Sequence, residues 1–271
     1  MTTLLLPRIN LPLFPLFKEV NIVDLAEEED FRLMTEISKR RHIPFLQGRW
    51  VLEVFDKPVE QGGVLILRHM ERAHSATRNY YNWLFSQGAG KDANGTPFGG
   101  GQVSIKNTAG TNQTGAFPIG LGHNGTRDTN LAWTSAEGGG SAGFRGGSGD
   151  ATTGIVVGSG VGAFSFEDFK LGTPIANGTG GGQLSHVLGE AVVLSYVGGT
   201  LTLTATHARF FNNNSGGNID LNEVALYMHG SSADVVVDNY AVERTVLGAT
   251  VTIPATGQLK VTYIISLVYP F

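Results

Sequence analysis

The residues of this chain that could do chemistry are histidines and carboxylates, because the sequence contains no cysteine. His69 and His74 flank Glu71, but this spacing does not place both imidazoles on one helix face, as a zinc-binding H-E-x-x-H motif does. The other histidines are scattered: His42, His123, His186, His207 and His229. The fold could still bring histidines that are distant in the sequence together to bind a metal, although a histidine with an ordinary surface or core position is more frequent. We predict no metal-binding residue.

The carboxylates do not form a recognisable catalytic pair. Hydrolysis of a glycosidic bond needs two carboxylates that face each other across a cleft. Acidic residues are sparse after residue 160: Glu167, Asp168, Glu190, Asp220, Glu223, Asp234, Asp238 and Glu243. Glu223 lies in an alternating strand pattern, where it could face solvent or cap a buried polar network. We predict no catalytic residue, and a glycan-degrading enzyme ranks last among the functions considered.

A glycine motif also suggests nucleotide chemistry. Residues 120–125 fit the pattern G-x-G-x-x-G, which binds a dinucleotide only between a strand and a helix. Residues 126–130 carry no helical period, and chance matches are common in a glycine-rich stretch. The sequence contains no P-loop and no G-x-S-x-G nucleophile elbow. We therefore predict that the protein is not an enzyme and uses no cofactor.

Composition narrows the function further. The chain of 271 residues carries 19 basic and 23 acidic residues, without the basic excess of a nucleic-acid-binding protein, so we expect no direct nucleic-acid contact. Hydrophobic residues make up 41%, enough for a sizeable core. Of the 38 glycines, 27 fall within residues 88–182. This predicts a glycine-rich loop insertion that is ordered only where a sheet or a partner holds it.

The first 17 residues are apolar and divided by Pro7, Pro12 and Pro15. These prolines interrupt any helical signal-peptide core, and no apolar stretch reaches the ~20 residues that span a bilayer, so we expect no membrane insertion. An extended arm cannot bury its own side chains, so it docks on its own domain or, as we predict, on a neighbouring subunit. A disordered terminus would be more polar. The predicted interface residues are Leu4, Leu5, Leu6, Ile9, Leu11, Leu13, Phe14, Leu16 and Phe17.

The remaining pattern predicts a mainly β protein. Residues 1–48 are predicted to form the arm and a short helix that Asp24 caps and Pro44 ends. Residues 49–271 are predicted to form one β domain, beginning with a hairpin of residues 49–55 and 63–67 and a helix after Ser75. Short strands are expected at residues 102–106, 153–157 and 164–166, and longer ones at residues 191–197, 201–211, 219–228, 234–238, 250–253 and 258–269. This spacing is typical of an antiparallel β-sandwich of jelly-roll or Greek-key type.

Two stretches resemble virion structural proteins of tailed bacteriophages. The first runs through residues 154–160, 164–169 and 171–175. The second runs through residues 211–213, 222–226, 244–247, 251–253 and 259–263. The resemblance covers about residues 150–271 and consists of packing and turn patterns. It implies assembly within a particle and implies no reaction.

These observations lead to one predicted function and one alternative. The chain is predicted to be a non-enzymatic structural component of a tailed-phage virion, which assembles as a homo-oligomer and docks on other virion structural proteins through its arm. The alternative is a receptor- or glycan-binding module on the virion surface. In that case the glycine-rich loops would bind a host surface glycan, with Trp133 and Phe144 as contacts.

Overall fold

The computed structural model describes residues 18–21, 25–73, 75–89, 105–113, 143–231 and 237–269. In chain order, these residues form the strands and helices β1 (Lys18–Asn21), α1 (Leu25–Arg41), β2 (Phe45–Phe55), β3 (Leu65–Ala73), α2 (Arg78–Ala89), β4 (Ile105–Lys106), β5 (Asn112–Gln113), β6 (Gly154–Gly158), β7 (Ser185–His186), β8 (Val193–Val197), β9 (Thr202–Asn212), β10 (Ile219–Ser231), β11 (Val237–Ile253) and β12 (Gln258–Val268). The predicted mainly β fold with two helices is confirmed.

The strands form two main sheets. The large sheet has the order β1-β3-β2-β12-β9-β7, and β8 also pairs with β9. The smaller sheet has the order β11-β10-β6, and β4 and β5 form a separate ribbon. Strand pairing is antiparallel except between β1 and β3. The architecture is consistent with the predicted β-sandwich, while its jelly-roll or Greek-key type stays a prediction.

The core lies between these sheets because strand alternation turns one row of apolar side chains inward from each strand. The large sheet contributes Trp50, Leu52 and Val54 from β2 and Leu259, Val261 and Tyr263 from β12. The smaller sheet contributes, among others, Leu221, Val224 and Leu226 from β10 and Val242 and Val251 from β11. All of these side chains belong to one buried cluster, which fixes the two sheets against each other.

Several strands differ from the predicted ones. The strands predicted at residues 234–238 and 250–253 both overlap β11, which begins at Val237, while residues 234–236 lie outside the described residues. β11 continues between them, because β10 pairs with residues 237–241 and 243–246 and again with residues 251–253, across two register shifts. β2 begins at Phe45 instead of residue 49, because β12 pairs with it as far as Val268 opposite Phe45. The strand predicted at residues 164–166 is wrong: the segment forms a turn, in which Asp168 N–H donates to the Ser165 carbonyl.

The two helices pack on different strands, α1 on β2 and α2 on β11 and β4. The Phe31 ring of α1 lies 5.9 Å from the Phe45 ring, and Arg72 of β3 donates to Glu28 of α1. α2 is anchored by Asn79, whose side-chain amide donates to the Lys106 and Ala241 carbonyls. The predicted helix end before Pro44 is confirmed, whereas the predicted cap Asp24 lies outside the described residues.

Candidate functional site

A groove of about 420 Å³ opens where β3 ends, between α1, α2 and the first residues of β2. Its floor is buried and consists of Phe144, Leu226, Val242, Glu243 and Tyr263. Its rim includes Met34, Leu46, Tyr81 and Leu84, which are 41–52% exposed. The groove therefore presents an apolar entrance above a floor that holds one ionisable acid.

The groove exists because two neighbouring strands end at different levels. The last residues that pair between β2 and β3 at this end are Gly48 and Ala73. Beyond Ala73 the chain crosses to the smaller sheet, where the backbone N–H of Thr77 donates to the Val242 carbonyl. No strand of the described chain pairs with Phe45–Gln47 on the side that β3 has left. Both apolar side chains and an open strand edge consequently face the groove.

Glu243 is the polar group of the groove floor. It is 4% exposed and lies opposite Leu226 on the core-facing side of β11. The Thr245 hydroxyl donates to its Oε1, while Oε2 has no hydrogen-bond partner among the described residues. The Trp50 indole N–H approaches this carboxyl group and favours its charged form, but it does not make a hydrogen bond of normal geometry.

Burial raises the pKa of Glu243 to about 8, and the nearby Glu71 carboxylate adds to this rise. Glu243 is therefore mostly protonated at neutral pH. With Oε1 accepting from Thr245, the unpartnered Oε2 is the natural position of the proton. The groove floor thus holds a neutral carboxyl group, buried within apolar surroundings, at neutral pH.

The groove floor depends on Arg209, a residue that the sequence analysis did not single out. Arg209 of β9 is buried and donates to the backbone carbonyls of Gly147, Asp150, Thr153, Ile155 and Val187. These bonds hold the segment that follows Gly143 against the large sheet. A Cβ atom at Gly146 would lie 2.4 Å from Arg209 Nη1, so glycine is required for this close approach. The inward alternation of His207, Arg209 and Phe211 was the available sequence signal.

Phe144, predicted as a ligand contact, is placed in the groove floor by this segment and is 3% exposed. Its ring lies 5.8 Å from that of Trp83 and 6.1 Å from that of His207. It is therefore not the exposed loop aromatic that the sequence suggested, and contact with a ligand stays a prediction. The other predicted contacts lie outside the described residues: Leu4, Leu5, Leu6, Ile9, Leu11, Leu13, Phe14, Leu16, Phe17 and Trp133.

Glu223 caps a buried polar network, which confirms one of its two predicted roles. It accepts hydrogen bonds from the backbone N–H groups of Gly160, Gly172 and Thr173 at 2.7–3.1 Å, and from Arg244 at 2.8 Å. Arg244 also pairs with Asp168 at 2.7 Å. The two carboxylates are thus joined by a guanidinium and by backbone donors. This arrangement ties the segment 158–174 onto β10 and does not resemble a cleft with opposed acids.

The histidine and glutamate noted in β3 do contact each other: His69 Nε2 lies 3.0 Å from Glu71 Oε2, while His74 lies outside the described residues. Within the described ranges, no three His, Asp or Glu side chains are grouped so that they could hold a metal ion. The helices of the same ranges are too short or too polar to span a membrane.

A second surface feature is β8, which we call the apolar edge strand (Val193–Val197). Its side chains point to both faces, yet Val193, Leu194, Tyr196 and Val197 are all 51–62% exposed. It pairs with β9 on one side only, and in the described chain no strand covers its other side. Consecutive apolar residues at positions 191–194, instead of alternation, were a sequence signal for a strand that is apolar on both faces.

The apolar edge strand and the groove lie at the same end of the large sheet. Directly paired residues share one face of a sheet, and the pairing runs from Leu46 through Leu267 and Leu203 to Tyr196. An apolar row therefore connects the groove rim to the apolar edge strand. Comparison of the chain with protein-family models, curated proteins and solved structures gave no match.

Proposed function

We propose that this chain is a non-enzymatic structural subunit that assembles as a homo-oligomer, with the apolar edge strand as a contact between copies. The observation that carries the proposal is the exposure of apolar side chains on both faces of β8. A strand edge with free backbone groups is a template for pairing with another chain, and soluble monomers normally protect such edges with charges, prolines or bulges. β8 contains none of these protections.

The sequence of the apolar edge strand suits pairing with itself. In an antiparallel pair of two copies centred on Ser195, Leu194 would lie opposite Tyr196, and Val193 opposite Val197. Every apolar residue would then face an apolar residue. The strand is therefore self-complementary, as a two-fold symmetric interface requires. The interface would also draw on the adjoining apolar row that ends at Leu46.

The resemblance of about residues 150–271 to virion structural proteins supports placing this assembly in a tailed-phage virion. In that setting the arm, residues 1–17, docks on a neighbouring protein of the particle, either another copy of this chain or a different virion protein, because its apolar side chains need a partner surface. The alternative of glycan binding by the glycine-rich loops rests on Trp133 and gains no specific observation.

The double variant Leu194→Lys/Tyr196→Lys is expected to weaken self-association at least tenfold, because it would bring buried ammonium groups into the interface. The measurement is multi-angle light scattering of the full chain over a concentration series. The matched control is Val161→Lys, which changes an apolar residue that is 76% exposed. A wild-type chain that stays monomeric throughout, or a double variant that associates like the control, would contradict the proposal.

The virion placement predicts that the chain is a stoichiometric component of purified particles of the phage that encodes it. Quantitative electrophoresis of those particles measures its copy number. A few tens of copies or fewer would assign it to the neck, tail or a vertex, and hundreds would assign it to the capsid lattice. Its absence from purified particles would contradict the placement.

A further inference from the structure

We infer that the groove between α1, α2 and β2 receives residues 1–17 of a second copy, which lie there as an extended segment along the free edge of Phe45–Gln47. The inference rests on the proposed function, because it assigns the acceptor surface of the arm.

The site is shaped for an extended peptide. Phe45–Gln47 pair with β12 on one side, and on the other side the described chain provides no strand. A peptide that adds to such an edge gains main-chain hydrogen bonds, while neighbouring pockets take its side chains. Here the pocket is the apolar floor beneath Tyr81 and Leu84. A compact small molecule would use the floor and would leave the strand edge unpaired.

The chemistry of the arm matches that of the groove. Residues 1–17 contain nine leucine, isoleucine and phenylalanine residues, with Arg8 as the single charged side chain. Pro7, Pro12 and Pro15 favour an extended backbone and lack an N–H, so the segment carries more backbone acceptors than donors. The groove floor is apolar apart from the buried carboxyl group of Glu243, so it suits the leucine, isoleucine and phenylalanine side chains of the arm.

The direction of β1 favours an arm from a second copy. β1 runs parallel to β3, with Lys18 opposite Leu67 and Asn21 opposite Met70, so it runs towards the groove end of the sheet. Lys18, where the arm joins β1, consequently lies towards the other end, six residues or ~20 Å from the level of Ala73. A chain that entered its own groove would have to reverse direction and run back along the sheet. An arm that kept the direction of β1 would lead away from its own groove, which favours a second copy as the acceptor.

Site-specific photo-crosslinking of the full chain tests this inference. One preparation carries p-benzoylphenylalanine in place of Phe14 and one affinity tag, and the other carries the native residue and a different tag. After the preparations are mixed and irradiated, we expect a crosslinked product with both tags, whose peptides map to α1, α2 or the start of β2. Leu84→Asp in the acceptor copy is expected to reduce this product at least tenfold. The control Val161→Asp is expected to leave it unchanged.

Three outcomes would overturn the inference: crosslinks confined to one chain, crosslinks that map outside the groove, or no crosslink at all. Leu84 is 44% exposed, so its replacement leaves the core intact and failure to fold does not explain a negative result. Light scattering of the same samples separates the two proposals. An oligomer whose Phe14 position crosslinks elsewhere contradicts only the groove assignment, whereas a monomer contradicts both.

Discussion

Arg209→Met is expected to lower the free energy of unfolding by about 3–5 kcal/mol, because it removes a buried guanidinium that donates to five backbone carbonyls, three of them through buried hydrogen bonds. Methionine fills a similar volume but donates no hydrogen bond, so the carbonyls of Gly147, Thr153 and Ile155 would each lose a buried donor. Burial lowers the pKa of Arg209 to about 10, which keeps the group charged at neutral pH. The loss therefore includes charge-assisted hydrogen bonds, which are stronger than neutral ones.

Urea unfolding of Arg209→Met and of a matched surface variant measures this effect. Arg78→Met is the control, because the Arg78 side chain is about half exposed and pairs with the exposed Glu167, an interaction worth about 0–1 kcal/mol. Arg209→Lys is expected to fall between the two, since an ammonium keeps the charge but cannot reach all five acceptors. Equal stability of Arg209→Met and Arg78→Met would show that the carbonyls find other partners.

The sequence predicted the strands of the core well because their alternation is local. β9, β10 and β12 begin and end within a few residues of the predicted positions, since inward apolar residues recur at every second place. The length of β11 was not predictable in this way. Its middle carries Glu243, Arg244 and Thr245, which interrupt the apolar alternation although all three are buried, and Arg244 is paired there with the distant Glu223.

The candidate site was harder to predict than the fold, because it depends on where strands end. The groove arises from a register difference between β2, which continues to Phe45, and β3, which stops at Ala73. No local pattern encodes that difference. Glu243 was noted only as one of several acids, and its burial follows from its pairing with Leu226 across the sheet. Phe144 was noted as a loop aromatic, and its burial follows from the pairing of Gly143 with His229 of β10 and from packing of its ring beside Trp83 and His207.

Burial of three ionisable groups predicts that stability is highest near pH 6.5. Burial lowers the pKa values of His186 and His207 to about 4, and the charge of Arg209 contributes to the shift of His186. Below pH 6.5 the unfolded chain binds protons at these histidines that the folded chain does not, so stability falls as the pH falls. Glu243 acts oppositely: the folded chain keeps its proton up to about pH 8, and unfolding releases it above about pH 4.5.

Glu243→Gln is therefore expected to remove the decline of stability on the alkaline side of this optimum. Release of one proton on unfolding lowers the free energy of unfolding by about 1.4 kcal/mol per pH unit, or about 2 kcal/mol between pH 6.5 and pH 8. Glutamine stays neutral and can still donate a hydrogen bond, so the variant should hold its stability over that range and match the native chain near pH 4.5. Urea unfolding at several pH values measures the free energy of unfolding on the acidic and the alkaline side of pH 6.5. Glu167→Gln, at an exposed carboxylate, should decline like the native chain. A Glu243→Gln variant that shows the same decline above pH 6.5 would mean that another group releases the proton. Neither substitution changes the two histidines, so the loss of stability below pH 6.5 should be the same in both variants and in the native chain.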